Sequence, residues 1–240
     1  DFGRSFRPQG SDAELEKYGN LIAERMTSYG LPPTSEAIRE NLDNQYLALL
    51  TRFEAHLQQH PYLLGGHPSA ADYAVMGALH AHLGRDPAGL HFMQQHAPRT
   101  FRWVEHMLTP EIQSPEFYDY PIAYPADDQI PESALALLRH LAEQYAEPFV
   151  LHCLAFSQAM GRLQPAPGYA LDAEQDQPAL PAEEFVFQGT THQHRANLHN
   201  VWLAQRAQGF FQQLPSADRQ AIESRLAAPM IGELLNAPAD

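Results

Sequence analysis

The sequence predicts an all-α protein, and three observations carry that prediction. Apolar residues recur at three- and four-residue steps over long stretches, and helix-start and helix-stop residues punctuate those stretches. Only one short run, Phe185-Val186-Phe187-Gln188-Gly189, reads as a strand. The expected architecture is a helical bundle with a further helical extension and at most one short β segment near 184–190.

Residues 1–10 mix arginines, glycines and a proline and read as an extended lead-in. Ser11 or Asp12 then caps a helix running to about Tyr29, with Leu15, Tyr18, Ile22 and Met26 on one face. Gly30-Leu31-Pro32-Pro33 ends it, and a second helix begins near Thr34 or Ser35. Leu42, Tyr46, Leu49, Leu50, Phe53 and Leu57 form its apolar stripe.

The stretch Pro61 to Pro87 follows, in which two glycines and a proline halt the chain before a helix that starts at Ser69. Ser69 is a favoured N-cap, and Asp72 sits where its carboxyl group can reach back to the Ser69 N–H. Both residues are read as the structural cap of that helix and not as catalysts. The helix carries Ala70, Ala71, Ala74, Gly77, Ala78 and Ala81, small residues that let neighbouring backbones approach, so burial on most sides is expected. A short helix around Leu90 to Gln95 comes next, and then one from Pro98 with Phe101, Val104 and Leu108 facing the core.

Between Thr109 and Pro131 no period survives, and a boundary is placed there. Beyond it Leu135, Leu138, Ala142 and Tyr145 mark one helix face, and Pro148 is expected to stop that helix or to start the next. Residues 164–183 hold four prolines and read as a surface excursion. Helices are expected from about Gln193 to Gln212 and from Ser216 to Leu226, with a turn over Ile231 to Leu235.

The bulk chemistry excludes several classes. Twenty-nine acidic against 15 basic residues give a net charge of −14, which repels phosphate backbones, so no nucleic-acid partner is expected. No run approaches the roughly 18 apolar residues of a membrane span, and no signal peptide is visible. The single cysteine, Cys153, excludes an internal disulfide framework, fits a cytoplasmic location, and reads as a small buried hydrophobe.

Thirteen histidines raise the question of metal. His80 and His82 are two apart on a helix and point apart; His192 and His194 could converge if that segment is extended, with His199 following. No H-E-x-x-H, cysteine pair or di-iron spacing accompanies them, so no metal is expected. No G-x-S-x-G or phosphate-binding glycine loop is present, and Arg195 and Arg206 read as solvated or ion-paired.

Leu63-Leu64-Gly65, Pro68-Ser69, Ala71-Asp72-Tyr73 and the small-residue helix after them resemble the core motif of the glutathione S-transferase C-terminal domain. Gly84-Arg85-Asp86-Pro87 and Ala97-Pro98 with Trp103-Val104 and Met107 are similar to a bacterial branch of that family. Phe185 through Arg195, Trp202, Gln205 and Arg206 resemble that branch's C-terminal extension. The resemblance implies a lead-in over 1–10, the family's helical domain over 11–110, a linker over 111–130 and a helical extension over 131–240.

It implies further that Ser69 and Asp72 cap the buried central helix of the domain. The two long helices before it would carry much of a homodimer contact and wall one side of a hydrophobic substrate site, which singles out Tyr18 and Met26 for substrate contact. Glutathione, in that family, is held and activated mostly by a thioredoxin-like domain. No βαβ unit is recognisable here, so the family's catalytic residue maps onto no position, and a start without methionine is expected to mark a fragment or a processed product. The chain alone is expected to bind no cofactor and to be inactive. Joined to a thioredoxin-like domain, the full form would act on small electrophiles with glutathione. The alternatives are a non-catalytic interaction or dimerisation module of the same fold and a helical bundle binding an apolar ligand.

Overall fold

The computed structural model describes residues 2–29, 36–110, 115–166, 168, 182–187, 190–195 and 198–238, with backbone only at 2, 26–29, 37, 38, 182–187 and 190–195. The chain divides into two compact units, Asp1–Asn44 with Val186–His192, and Gln45–Phe185 with Gln193–Asp240. Helices dominate both, as the sequence predicts.

In the first unit, α1 (Phe2–Phe6) and α2 (Asp12–Tyr29) pack together. The expected extended lead-in is therefore a helical turn. Gly3 allows it, because a Cβ there would lie 2.0 Å from the Leu15 carbonyl oxygen. Ser11 caps α2, donating its backbone N–H and its hydroxyl to Glu14, both at 2.9 Å.

α3 (Glu36–His56) begins in the first unit and delivers the core of the second. Its stripe buries Leu50 and Phe53 together with Leu57, just past its end. Leu79, Met93, Trp103, Val104 and Met107 join them from α4 (Ala70–Ala78), the π-helical turn Leu79–Leu83 that extends it, α5 (Pro87–His96) and α6 (Pro98–His106). α6 starts one residue after Ala97 with a proline at its first position, where a missing N–H costs nothing. Leu108 is 52% exposed, contrary to expectation, because α6 ends at His106 and the helical phase lapses before it.

The two glycines before α4 have distinct reasons. Gly65 adopts a φ of +102°, closing a bridge in which Tyr62 and Gly65 exchange N–H···O bonds of 3.2 Å. Gly66 sits under the 115–125 segment: a Cβ would lie 1.8 Å from the Pro121 carbonyl oxygen, and its N–H donates to Ala123 at 2.9 Å. Gly66→Ala is expected to lift that segment and cost about 2–3 kcal/mol, read in a denaturant melt; a loss under 0.5 kcal/mol would contradict this account of the turn.

α4 corrects a second expectation. Ala70, Ala71, Tyr73, Ala74, Gly77 and Ala78 are exposed, and among the described atoms nothing lies within 4 Å of a Cβ built on Gly77. The small residues do permit close approach, but nothing among the described residues makes it.

α7 (Glu132–Leu163) is one 32-residue helix through Pro148, where a break was expected. Proline removes one intrahelical hydrogen bond and costs about 3 kcal/mol. Burial on both sides of it, of Leu135, Ala142 and Ala146 before and Val150, Cys153 and Ala155 after, keeps the helix running. Leu138 and Tyr145 are partly exposed, so the buried face is rotated from the expected one. Leu137 belongs to the same apolar cluster as Leu50 and Trp103.

β1 (Ala182–Phe187) and β2 (Thr190–Arg195) form a two-stranded hairpin, one strand more than expected. Gln193 to Arg195, expected as the start of a helix, belong to β2. α8 (Leu198–Gln213) follows, then α9 (Ser216–Leu226) and α10 (Pro229–Asn236). Cys153 packs against Val201 and Ala204 of α8 and is wholly buried. Arg139 of α7 donates to the carbonyls of Leu226 (2.7 Å) and Arg225 (2.9 Å), placing a cation at the C-terminal end of α9. The excursion expected over 164–183 lies almost wholly outside the described residues.

Candidate functional site

The start of α4 is built around one buried carboxyl group. Asp72 is fully buried, and its Oδ2 accepts the Ser69 backbone N–H at 2.8 Å and the Ser69 hydroxyl at 2.6 Å. Its Oδ1 accepts the Leu63 N–H at 2.8 Å. Ser69 is the N-cap of α4 and Asp72 its third residue, so the pair closes a capping box. The third bond goes beyond a local cap, because it ties the Tyr62–Gly65 turn to the helix.

The N-terminus of α6 is held in a way no local pattern predicts. Glu54 of α3 accepts the N–H groups of Arg99 (3.1 Å) and Thr100 (3.0 Å) and the Thr100 hydroxyl (3.1 Å). A carboxylate from 45 residues away thus supplies the negative charge that a helix start favours.

Beside this frame lies a cleft of about 40 Å³ lined by Tyr62, Arg99, Arg102, Trp103, Glu116 and Tyr120, among others. Arg102 pairs with Glu116, whose carboxyl is held below the usual range by a backbone hydrogen bond and by Arg102. Tyr120 Oη lies 2.7 Å from His60 Nδ1, and burial pushes the phenol pKa up and the imidazole pKa down. Trp103 packs edge-on against Phe53 at 4.9 Å, and its buried indole N–H has no acceptor among the described residues. A space of this size holds a water or one small polar group, not a tripeptide.

His56 is the other buried polar centre. Its Nε2 lies 3.1 Å from the Tyr62 carbonyl, which only an N–H can satisfy, so Nδ1 accepts from the Ser133 hydroxyl at 2.8 Å. Burial depresses its pKa, which keeps it neutral. A serine donating to a histidine has the form of an activated nucleophile. Here the imidazole is wholly buried and Ser133 does not line the cleft, so the pair acts as a tie between α3, the turn and α7.

Of the positions singled out for substrate, Tyr18 is half-buried in the first unit, where Arg7 donates to its hydroxyl at 3.1 Å and lies 5.2 Å from its ring centre. The side chain of Met26 lies outside the described residues, as does that of Arg195. Arg206 lies over the Trp202 ring at 5.0 Å. Among the described residues no group of three or more His, Cys, Asp or Glu side chains could hold a metal ion. No described helix is long and apolar enough to cross a membrane.

Residues 36–106 match the family model described as "Glutathione S-transferase, C-terminal domain". That segment runs from the start of α3 to the end of α6, is similar to this domain, and makes up less than a third of the chain. Neither the curated proteins nor the solved structures give a match.

Proposed function

We propose that this chain is the helical, substrate-side part of a glutathione-transferase-like protein, completed by a thioredoxin-like domain in the same polypeptide or a separate one. The observation that carries the proposal is α4. In the family this capped helix is the buried centre of the domain, yet here it is apolar and exposed along Ala70, Ala74, Gly77 and Ala78. A surface of that kind fits a packed neighbour.

In this reading a glutathione thiolate, held by the thioredoxin-like domain, attacks a small hydrophobic electrophile. An S–C bond forms, the bond to the leaving group breaks, and the thiol proton goes to solvent. The alternative within the same reading is reduction of such a substrate with glutathione as electron donor. Tyr18 and Met26 are the positions proposed to meet substrate, Tyr18 after leaving Arg7. The setting proposed is the cytoplasm of a bacterium and the assembly a homodimer. The 240-residue chain alone is proposed to bind no glutathione and to turn nothing over.

A non-catalytic module of the same fold is the second reading, favoured by the small size of the cleft beside α6. Purifying the natural protein and assaying it with glutathione and a chlorodinitrobenzene electrophile separates the two. Saturable conjugation is expected; no turnover above the uncatalysed rate would leave the interaction module.

A further inference from the structure

α8 is amphipathic twice over. Val201, Ala204, Gln208 and Phe211 are buried against α7 and α10, while the opposite side presents His199, Trp202, Leu203, Arg206 and Phe210 within about 100° of arc. Trp202 is 49% exposed, Leu203 42% and Phe210 70%. Within the stripe His199 stacks on Trp202 at 5.7 Å, and Arg206 lies over the same ring at 5.0 Å. Two large aromatic rings and a leucine on one exposed face form a patch that calls for a partner.

Charge says which partner. The chain has 29 acidic residues, yet the 16 residues of α8 include none, and it is the longest described helix of which that is true. Two chains of net charge −14 repel each other, and a face without acid is where that repulsion is least.

The spacing of the stripe is also self-complementary. Trp202 and Phe210 stand four residues either side of Arg206, so two antiparallel copies of α8 crossing near Arg206 set Trp202 of one against Phe210 of the other, twice. The same two-fold puts Leu203 opposite Gly209, which is exposed with open space above it. Each Arg206 near the axis is drawn aside onto its own Trp202 ring.

We infer that α8 is a homodimer interface, formed by antiparallel, two-fold packing of the Trp202–Phe210 face against the same face of a second copy. α8 lies outside the family-matched segment, so this interface stands independently of the proposed enzymatic role. It differs from the dimer contact on α2 and α3 that the family resemblance implies.

Sedimentation of the 240-residue chain at micromolar concentrations, in 0.05 and 0.5 M NaCl, tests the inference. The expected result is a monomer–dimer equilibrium that tightens several-fold at the higher salt, because screening weakens the repulsion between two acidic chains. Phe210→Glu, at an exposed position that leaves the fold intact by circular dichroism, is expected to weaken it at least 100-fold. As a second measure, Arg206→Cys is expected to form a disulfide between copies under mild oxidation, Cys153 being buried. A wild type that stays monomeric, a dimer that loosens with salt, or a Phe210→Glu protein that dimerises as before would overturn it. The last outcome leaves the proposed function untouched.

Discussion

Replacing Asp72 by alanine is expected to lower the stability of the chain by about 3–5 kcal/mol, since three donors lose their acceptor at once and each unsatisfied buried group costs about 1–3 kcal/mol. The Leu63 N–H, the Ser69 N–H and the Ser69 hydroxyl all end on this one side chain, and Asp72 is itself fully buried. Set against a typical total of about 5–15 kcal/mol, that loss brings the fold close to its limit. Ser69→Ala keeps the bonds from Leu63 and from the Ser69 backbone and should cost only about 1 kcal/mol. Denaturant melts of both variants check the contrast. Equal losses would mean that Asp72 is no more than a local cap.

Acid is expected to destabilise the protein below pH 6.5, with His56 the main contributor. Burial depresses the pKa of His56, His60 and His140, at His140 with help from the charge of Arg52. Between each depressed folded value and the ordinary 6.5, the unfolded chain binds a proton that the folded chain does not. Stability from these groups is therefore complete above 6.5 and is lost as pH falls through the folded values. His56→Ala should cost about 2–4 kcal/mol at pH 7.5, from the cavity and from the Ser133 hydroxyl losing its acceptor, while the Tyr62 carbonyl keeps the Gly65 N–H. It should also flatten the slope of stability against pH between 6.5 and 5. An unchanged slope would show that His56 titrates equally in both states.

The sequence made the frame of the second unit legible because local rules decide it. The α3 stripe, the Ser69 cap and the Pro98 start depend on residues within one or two turns, and no distant contact competes with them. What it hid depends on distance. Glu54 reaches the start of α6 across 45 residues and His56 reaches Ser133 across 77, and neither pair has a spacing that a periodicity can reveal. Pro148 misled because propensity is local while the burial that overrides it comes from both flanks of α7. The α4 alanines misled in the opposite sense, since small residues signal the capacity for close packing and not the presence of a neighbour.

The candidate site was legible in the same uneven way. Asp72 could be read as a cap partner from its spacing to Ser69, but its bond to Leu63 could not, because nine residues and a turn intervene. Arg102, Glu116 and Tyr120 carried no motif, and they meet only once the 115–125 segment folds back over Gly66. Val104 was placed in the core from its helical phase and is buried there, beside Trp103, which packs against Phe53.

Calorimetric titration of glutathione into the 240-residue chain and into the purified natural protein, side by side at millimolar ligand, bears most directly on the proposed division of labour. Saturable heat for the natural protein and none for the chain is the expected result if the proposed thioredoxin-like domain holds the cofactor. Saturable binding to the chain alone would contradict it, because the tripeptide would then have a site among these helices.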